Sequence, residues 1–174
     1  MKGVIVIALK ELVVEKFGLN RWNEILKGAG IEKEPYMTVL SDIDDKIVLD
    51  VLKSLCRMLG MTSQQAADAF GEYWMTVYAP KHYQAYFLNV KNAKEFLLKM
   101  DQVHVSSTKT MKDARPPRFQ YEWKDNRTLI MTYISKRGLM DIFEGLVKGV
   151  ARYYKEDLKI RRVGTDKLEI VFPY

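Results

Sequence analysis

The chain has one cysteine, Cys56, and two histidines, His82 and His104, in 174 residues. A lone cysteine cannot form an intramolecular disulfide. That excludes a disulfide-built secreted module and points to a reducing cytoplasm. One cysteine and two histidines cannot assemble a Cys/His zinc site within the chain. A Cys–His nucleophile pair stays formally open. Cys56, however, lies in VLDVLKSLCRMLG, a spacing that reads as the buried face of a helix. Long apolar runs are also missing. Gly3 to Leu9 begins like a signal peptide, but Lys10 and Glu11 follow without a small-residue cleavage site. A membrane span needs about 20 apolar residues, so no membrane segment is expected. The sequence shows no phosphate loop, low-complexity tract, internal repeat or acid/base pair, and no enzyme is expected.

What is present is a globular balance, with 48% apolar and 29% charged residues. The length fits one domain, 1–174, able to bury roughly 70% of its unfolded surface. Lys plus Arg is 28 against 22 acidic residues, a net charge of +6. That allows an anionic partner without naming one. Arg152, Lys155, Lys159, Arg161 and Arg162 form a basic cluster, which leaves a nucleic-acid-binding module as a rival reading. Helix-turn-helix and aromatic-platform signals are lacking, so no nucleic acid is expected as partner.

The periodicity predicts helices over residues 2–17, closed by Gly18, and about 20–29, closed by Gly30. Ser41 with Asp44 reads as a capping box opening a helix through Leu59, which Gly60 stops. Thr62 with Gln65 reads as a second box, opening a helix over 63–78 that Pro80 interrupts. A short aromatic turn follows at His82 to Phe87. Phe96, Leu97, Met100 and Val103 predict one long helix over 91–111. Pro116 and Pro117 then force extended backbone. Phe119, Tyr121 and Trp123 alternate with polar residues, Asp125-Asn126 signals a turn, and 128–135 forms the returning strand. Residues 138–154 are helical, and 157–163 with 167–173 form a hairpin around Gly164. The expected class is α+β, with a helical part over about 1–112 and a sheet-containing part over about 113–174.

Two places carry chemistry. On a strand side chains alternate, so Tyr133, Ser135 and Arg137 are expected to point to one face. A phenol, a hydroxyl and a guanidinium then lie within about 13 Å. That row suits a carboxylate or phosphate, and the alternative is a solvated strand edge. His104 sits between Val103 and Val105 on the long helix. It reads either as a hydrogen-bonded core histidine or as a metal ligand. A lone protein ligand suffices when a cofactor such as haem supplies the others.

Further segments extend the pattern. Met1-Lys2-Gly3, Phe70-Gly71-Glu72-Tyr73-Trp74, Asp101-Gln102-Val103-His104, Arg115-Pro116-Pro117-Arg118-Phe119 and Tyr133-x-Ser135-x-Arg137 occur in that order. His104 lies 29 residues before Tyr133, with the proline pair between them. In order and spacing the chain resembles the H-NOX family, the haem nitric oxide/oxygen binding domain also found in soluble guanylate cyclase. The resemblance implies the H-NOX fold, with haem b (iron protoporphyrin IX) between the helical and sheet-containing parts. It implies that His104 is the iron ligand and that Tyr133, Ser135 and Arg137 hold the haem propionates. Pro117, Ile5, Leu146 and Met100 would pack on the ring.

The resemblance also bears on the gas. Bound dioxygen carries partial negative charge, so a distal donor retains it. In dioxygen-binding members that donor is a tyrosine nine positions after the signature tyrosine. Here that position is Ile142. Leu9, also distal, is apolar, and Trp74 offers an indole N–H. The implied ligands are nitric oxide and carbon monoxide, with a dioxygen sensor of the same fold as the rival. The implied role is a bacterial, cytoplasmic sensor that signals through a conformational change at haem and His104. Implied partners are a histidine kinase, a cyclic-di-nucleotide enzyme or a chemotaxis receptor.

Overall fold

The computed structural model describes residues 1–112 and 114–174. Eight α-helices and four strands are present among them: α1 (Gly3–Phe17), α2 (Leu19–Gly28), α3 (Asp45–Leu59), α4 (Ser63–Tyr73), α5 (Ala79–His82), α6 (Ala93–Leu98), α7 (Met100–Thr108), β1 (Arg118–Trp123), β2 (Thr128–Ile134), α8 (Met140–Tyr154), β3 (Lys159–Arg162) and β4 (Lys167–Val171). Helix gives way to strand where the proline pair predicts. The compact units divide elsewhere, into Met1–Ala66 and Ala67–Tyr174. The expected subdivision near 112–113 touches residue 113, which lies outside the described residues.

In the first unit, α1 is apolar on most of its circumference, so it must be covered on several sides. Val6, Ala8, Leu9, Leu12 and Val13 are buried there, together with Trp22, Ile25 and Leu26 of α2 and Val48, Val51 and Leu55 of α3. The buried Ser54 donates to the Ile25 carbonyl at 2.8 Å, which removes the cost of an orphaned hydroxyl. Asp44, not Ser41, caps α3, accepting from the Lys46 N–H at 2.8 Å. Ser41 instead accepts from the Thr38 N–H at 2.9 Å, and this short-range turn outcompetes the expected capping box. Gly60 ends α3 in the left-handed region at φ 63°, where a side chain is strained.

The second box is real. The Thr62 N–H donates to Gln65 Oε1 at 2.8 Å, and the Gln65 N–H donates to Thr62 Oγ1 at 3.1 Å. Pro80 does not interrupt the helix that follows. A π-helical segment, Trp74–Tyr78, widens the turn ahead of it, and Pro80 sits in the first turn of α5, where a missing N–H costs least.

The second unit is built on an antiparallel sheet of order β1-β2-β4-β3. Phe119 faces Tyr133 and Tyr121 faces Met131 in the β1–β2 register. Leu129, Met131, Tyr133, Leu168, Ile170 and Phe172 fill one sheet face at the strand period of two. They pack with Phe96 and Leu97 of α6 and Phe143, Val147 and Val150 of α8. Each such buried side chain contributes roughly 1.5–3 kcal/mol. Between α4 and α8 the backbones come so close that a Cβ on Gly145 or Gly149 would strike the carbonyl of Ala67 or Gly71.

Candidate functional site

The long helix expected over 91–111 is two helices, α6 and α7, broken at Lys99. His104 lies in the middle of α7, a helix with no fully buried residue. Its neighbour Val105 is 42% exposed, so α7 is not a core helix, although the His104 ring lies against the core residue Phe119. The ring is half-buried. His104 Nδ1 lies 2.8 Å from the Met100 carbonyl oxygen, one turn back. A carbonyl only accepts, so Nδ1 carries the proton and the Nε2 lone pair is left available. Nε2 has no hydrogen-bond partner among the described residues. Burial lowers the pKa of the imidazole, although the Met100 carbonyl and Asp101 oppose the shift, so the neutral form is favoured.

Strand β1 fixes α7 at several points. Asp101 accepts from Arg118 Nε at 2.8 Å and from the Phe119 N–H at 2.8 Å. The Arg118 guanidinium is the main reason the Asp101 carboxyl is held down at about 2. The Phe119 ring meets the His104 ring edge-on, with centroids 5.3 Å apart. Phe119 then contacts Tyr133 at 6.0 Å and Phe143 at 5.3 Å, and Tyr133 stacks on Phe143 at 5.4 Å. His104 therefore stands at the edge of an aromatic wall that ends on Tyr133.

Strand β2 stops at Ile134, so the strand face expected to carry Tyr133, Ser135 and Arg137 together does not extend that far. Tyr133 is on the strand and 8% exposed. Ser135 and Arg137 follow in a turn, which gathers them differently. Ser135 Oγ accepts from the Arg137 N–H at 3.3 Å, and Arg137 Nη1 donates to the Arg115 carbonyl at 2.6 Å. The guanidinium thereby pins the Arg115-Pro116-Pro117 segment beside the turn. Pro117 is half-buried and directly precedes β1. Met100 is partly buried against the same core.

Ile142 and Leu146 lie one turn apart on α8, half-buried and outside the core cluster that takes Phe143, Val147 and Val150. Trp74 opens the π-helical segment, and its ring stacks on Tyr78 at 5.1 Å and Tyr83 at 6.1 Å. Ile5 and Leu9 belong to the first unit, one turn apart on α1, half-buried and buried respectively. In the second unit, then, Met100, His104, Pro117, Tyr133, Ser135 and Arg137 surround the junction of α7, β1 and the turn after β2.

Two members of the basic cluster are engaged in close ion pairs. Arg161 pairs with Glu169 at 2.6 Å, and Arg162 pairs with Asp141 at 2.6 Å and Glu144 at 2.5 Å. That is a laced surface more than a row of free cations. Cys56 is half-buried, not buried as expected, because Ser54 and Leu55 take the inward face of α3. Among the described residues no group of three or more His, Cys, Asp or Glu could hold a metal ion, and no helix is long and apolar enough to cross a membrane.

The motifs contained Phe119 without giving it a role, and they left out Phe143 and Tyr121. The alternation of Phe119 and Tyr121 signalled an inward strand face, but not that this face meets α7. Tyr121 donates to the Leu97 carbonyl at 3.0 Å and accepts from the Asp101 N–H at 3.1 Å. Burial raises its phenol above the ordinary value, so the proton it donates is retained.

The haem-NO-binding family model matches residues 2–162. Soluble guanylate cyclase gcy-32 of Caenorhabditis elegans is 28% identical over 159 residues, which is 87% of this chain and 23% of the cyclase. Soluble guanylate cyclase gcy-35 of the same organism is 24% identical over 173 residues, covering 97% of this chain and 25% of the cyclase. The chain thus spans about a quarter of the length of these relatives. Among solved structures, an oxygen-binding H-NOX domain related to soluble guanylate cyclases matches at TM-score 0.84 and 27% identity, covering 100% of this chain and 96% of that one. A mutant H-NOX domain of T. tengcongensis matches at TM-score 0.84 and 27% identity, covering 100% and 98%. With the family model matched over 2–162, this chain belongs to the haem-NO-binding (H-NOX) family, a family of haem-based gas sensors.

Proposed function

We propose that the chain is a single sensor domain that binds haem b through His104 and responds to nitric oxide and carbon monoxide. The observation that carries this reading is the Met100–His104 contact. It fixes the tautomer and leaves Nε2 as a lone-pair donor on a half-buried helix. The residues around it fit the group. Haem would need a protein ligand for its iron, apolar faces and cations or hydroxyls for two carboxylates. His104 supplies the first and Met100, Pro117 and Leu146 supply part of the second. Tyr133, Ser135 and Arg137 supply the third, and the Tyr133 hydroxyl has no hydrogen-bond partner among the described residues. Ile5 of the first unit is assigned to the ring by family resemblance alone.

Ferrous haem supplies a site for diatomic gases. The chain sets which gas is retained. Ile142 and Leu9 offer no hydrogen bond, so a ligand that needs a distal donor is held poorly. The Trp74 ring stacks on Tyr78 and Tyr83, and its indole N–H is the polar donor among Ile142, Leu9 and Trp74. With haem bound, His104 would tie the iron to α7, so that a change of ligand would be passed through α7 to a surface read by a partner protein. A histidine kinase, a cyclic-di-nucleotide enzyme, a chemotaxis receptor or a cyclase domain fits that role, and the sensor itself needs no catalytic group. The lone cysteine favours a reducing, cytoplasmic setting.

The experiment is purification of the chain and its His104→Ala variant with haem present, followed by anaerobic reduction. We expect a haem absorption band in the parent, its loss or marked shift in the variant, and a strong response to nitric oxide and carbon monoxide. A spectrum in air showing lasting dioxygen retention overturns the gas assignment. An unchanged haem band in His104→Ala overturns the ligand assignment.

A further inference from the structure

The break between α6 and α7 falls where an uninterrupted helix would pair the Asp101 N–H with the Leu97 carbonyl, four residues back. That backbone bond is absent among the described residues. Instead the Tyr121 hydroxyl accepts from the Asp101 N–H at 3.1 Å and donates to the Leu97 carbonyl at 3.0 Å. One phenol oxygen from β1 has been inserted into the hydrogen-bond ladder. Insertion of a side chain into the ladder is a recognised cause of a sharp helix kink. Around the break the Lys99 N–H donates to the Phe96 carbonyl at 3.1 Å and also to the Leu97 carbonyl, and the Val103 N–H donates to the Lys99 carbonyl at 2.9 Å. Neither glycine nor proline lies at the break. Leu98-Lys99-Met100 are good helix formers, so local propensity does not call for it.

We propose that Tyr121 is a positioning residue for His104: its hydroxyl splits the helix and thereby sets the direction of α7 and of the imidazole three residues on. The proposal rests on the reading of His104 as the haem ligand. Tyr121 would touch neither the haem ring nor its iron. It acts through α7, with the Phe119 ring from the same strand face against the imidazole. Without the hydroxyl the Asp101 N–H loses its partner, and closing the bond to the Leu97 carbonyl, which the Lys99 N–H already reaches, restores one straight helix.

Tyr121→Phe keeps the ring and removes the inserted atom. In the haem-loaded, carbon monoxide-bound full chain, a through-hydrogen-bond NMR coupling between the Asp101 nitrogen and the Leu97 carbonyl carbon reads the ladder directly. It is expected to be absent in the parent and present in the variant. The iron–histidine stretching band of the ferrous chain reads the consequence. It is expected to shift in Tyr121→Phe, and to stay in place in Trp123→Phe, a change on the same strand face away from the break. A coupling already present in the parent overturns the proposal. So does a variant in which water replaces the hydroxyl, leaving the break and the band unchanged. An intact haem band in His104→Ala brings down the functional reading itself, and with it the positioning role, whatever the coupling shows.

Discussion

Asp101 holds Arg118 with both carboxylate oxygens, Oδ1 at 2.8 Å from Nε and Oδ2 at 2.7 Å from Nη2. The pair joins the start of α7 to the start of β1. Hydrogen bonding to Arg118 depresses the Asp101 carboxyl from an ordinary 3.8 to about 2. A carboxyl depressed in the folded state contributes stability above its unfolded value and loses it as pH falls through the folded one. The attachment is therefore complete at neutral pH and is lost between about pH 4 and pH 2. A carboxyl-detected NMR titration should find Asp101 among the last side-chain carboxyls to protonate. A midpoint near that of an exposed aspartate contradicts the prediction. Because Arg118 is 56% exposed, Asp101→Asn should cost little global stability.

Arg137 donates to the Arg115 carbonyl, and in the proposed function it would also hold a haem propionate. Charge-assisted hydrogen bonds contribute about 1.5–3 kcal/mol, so Arg137→Ala should weaken haem retention by one to two orders of magnitude. Arg137→Lys keeps the charge without the planar fork and should fall between parent and alanine variant. Haem transfer to a competing scavenger protein measures the order of the three. Equal transfer rates from all three leave the guanidinium with no role at the propionates.

Much of this was legible beforehand, and the two misreadings at the site share a cause. The Thr62–Gln65 box, the proline stop and the hairpins are local events, and sequence spacing reports them directly. The split at Lys99 is not local. Its cause is a hydroxyl from Tyr121, which meets the helix only after β1 has packed against it. The turn that gathers Ser135 and Arg137 likewise depends on the Arg115 carbonyl, 22 residues away. His104 illustrates both cases. Its spacing to Tyr133 marked it by resemblance, whereas the Met100 carbonyl that fixes its tautomer became visible only once α7 had been placed.

Ile142 supplies a test of gas selectivity that leaves His104 untouched. It is half-buried on α8, one turn before Leu146, and carries no polar atom. Ile142→Tyr adds a phenol where the family's dioxygen binders carry one. Reduced in air, the variant should retain dioxygen for longer than the parent, with nitric oxide binding preserved. Stopped-flow dissociation kinetics compare the two. Identical off-rates assign the selectivity to some other feature of the distal side.

Gly145 and Gly149 occupy one stripe of α8, and the helix that carries Ala67 and Gly71 is pressed against that stripe. The obstacle to a larger residue is the Ala67 carbonyl for Gly145 and the Gly71 carbonyl for Gly149, both main-chain atoms. A side chain could rotate aside, whereas a helical carbonyl cannot move without its helix. Gly145→Ala should therefore cost about 1–3 kcal/mol through overpacking, even though alanine has the better helix propensity. At this chain length that is a fall in melting temperature of about 2–4 °C per kcal/mol. Separating the helices relieves the clash, and it also moves α8, which presents Ile142 and Leu146. The haem band of Gly145→Ala should shift along with the loss of stability. A variant that melts at the parent's temperature shows that the two helices are not held at this distance by their glycines.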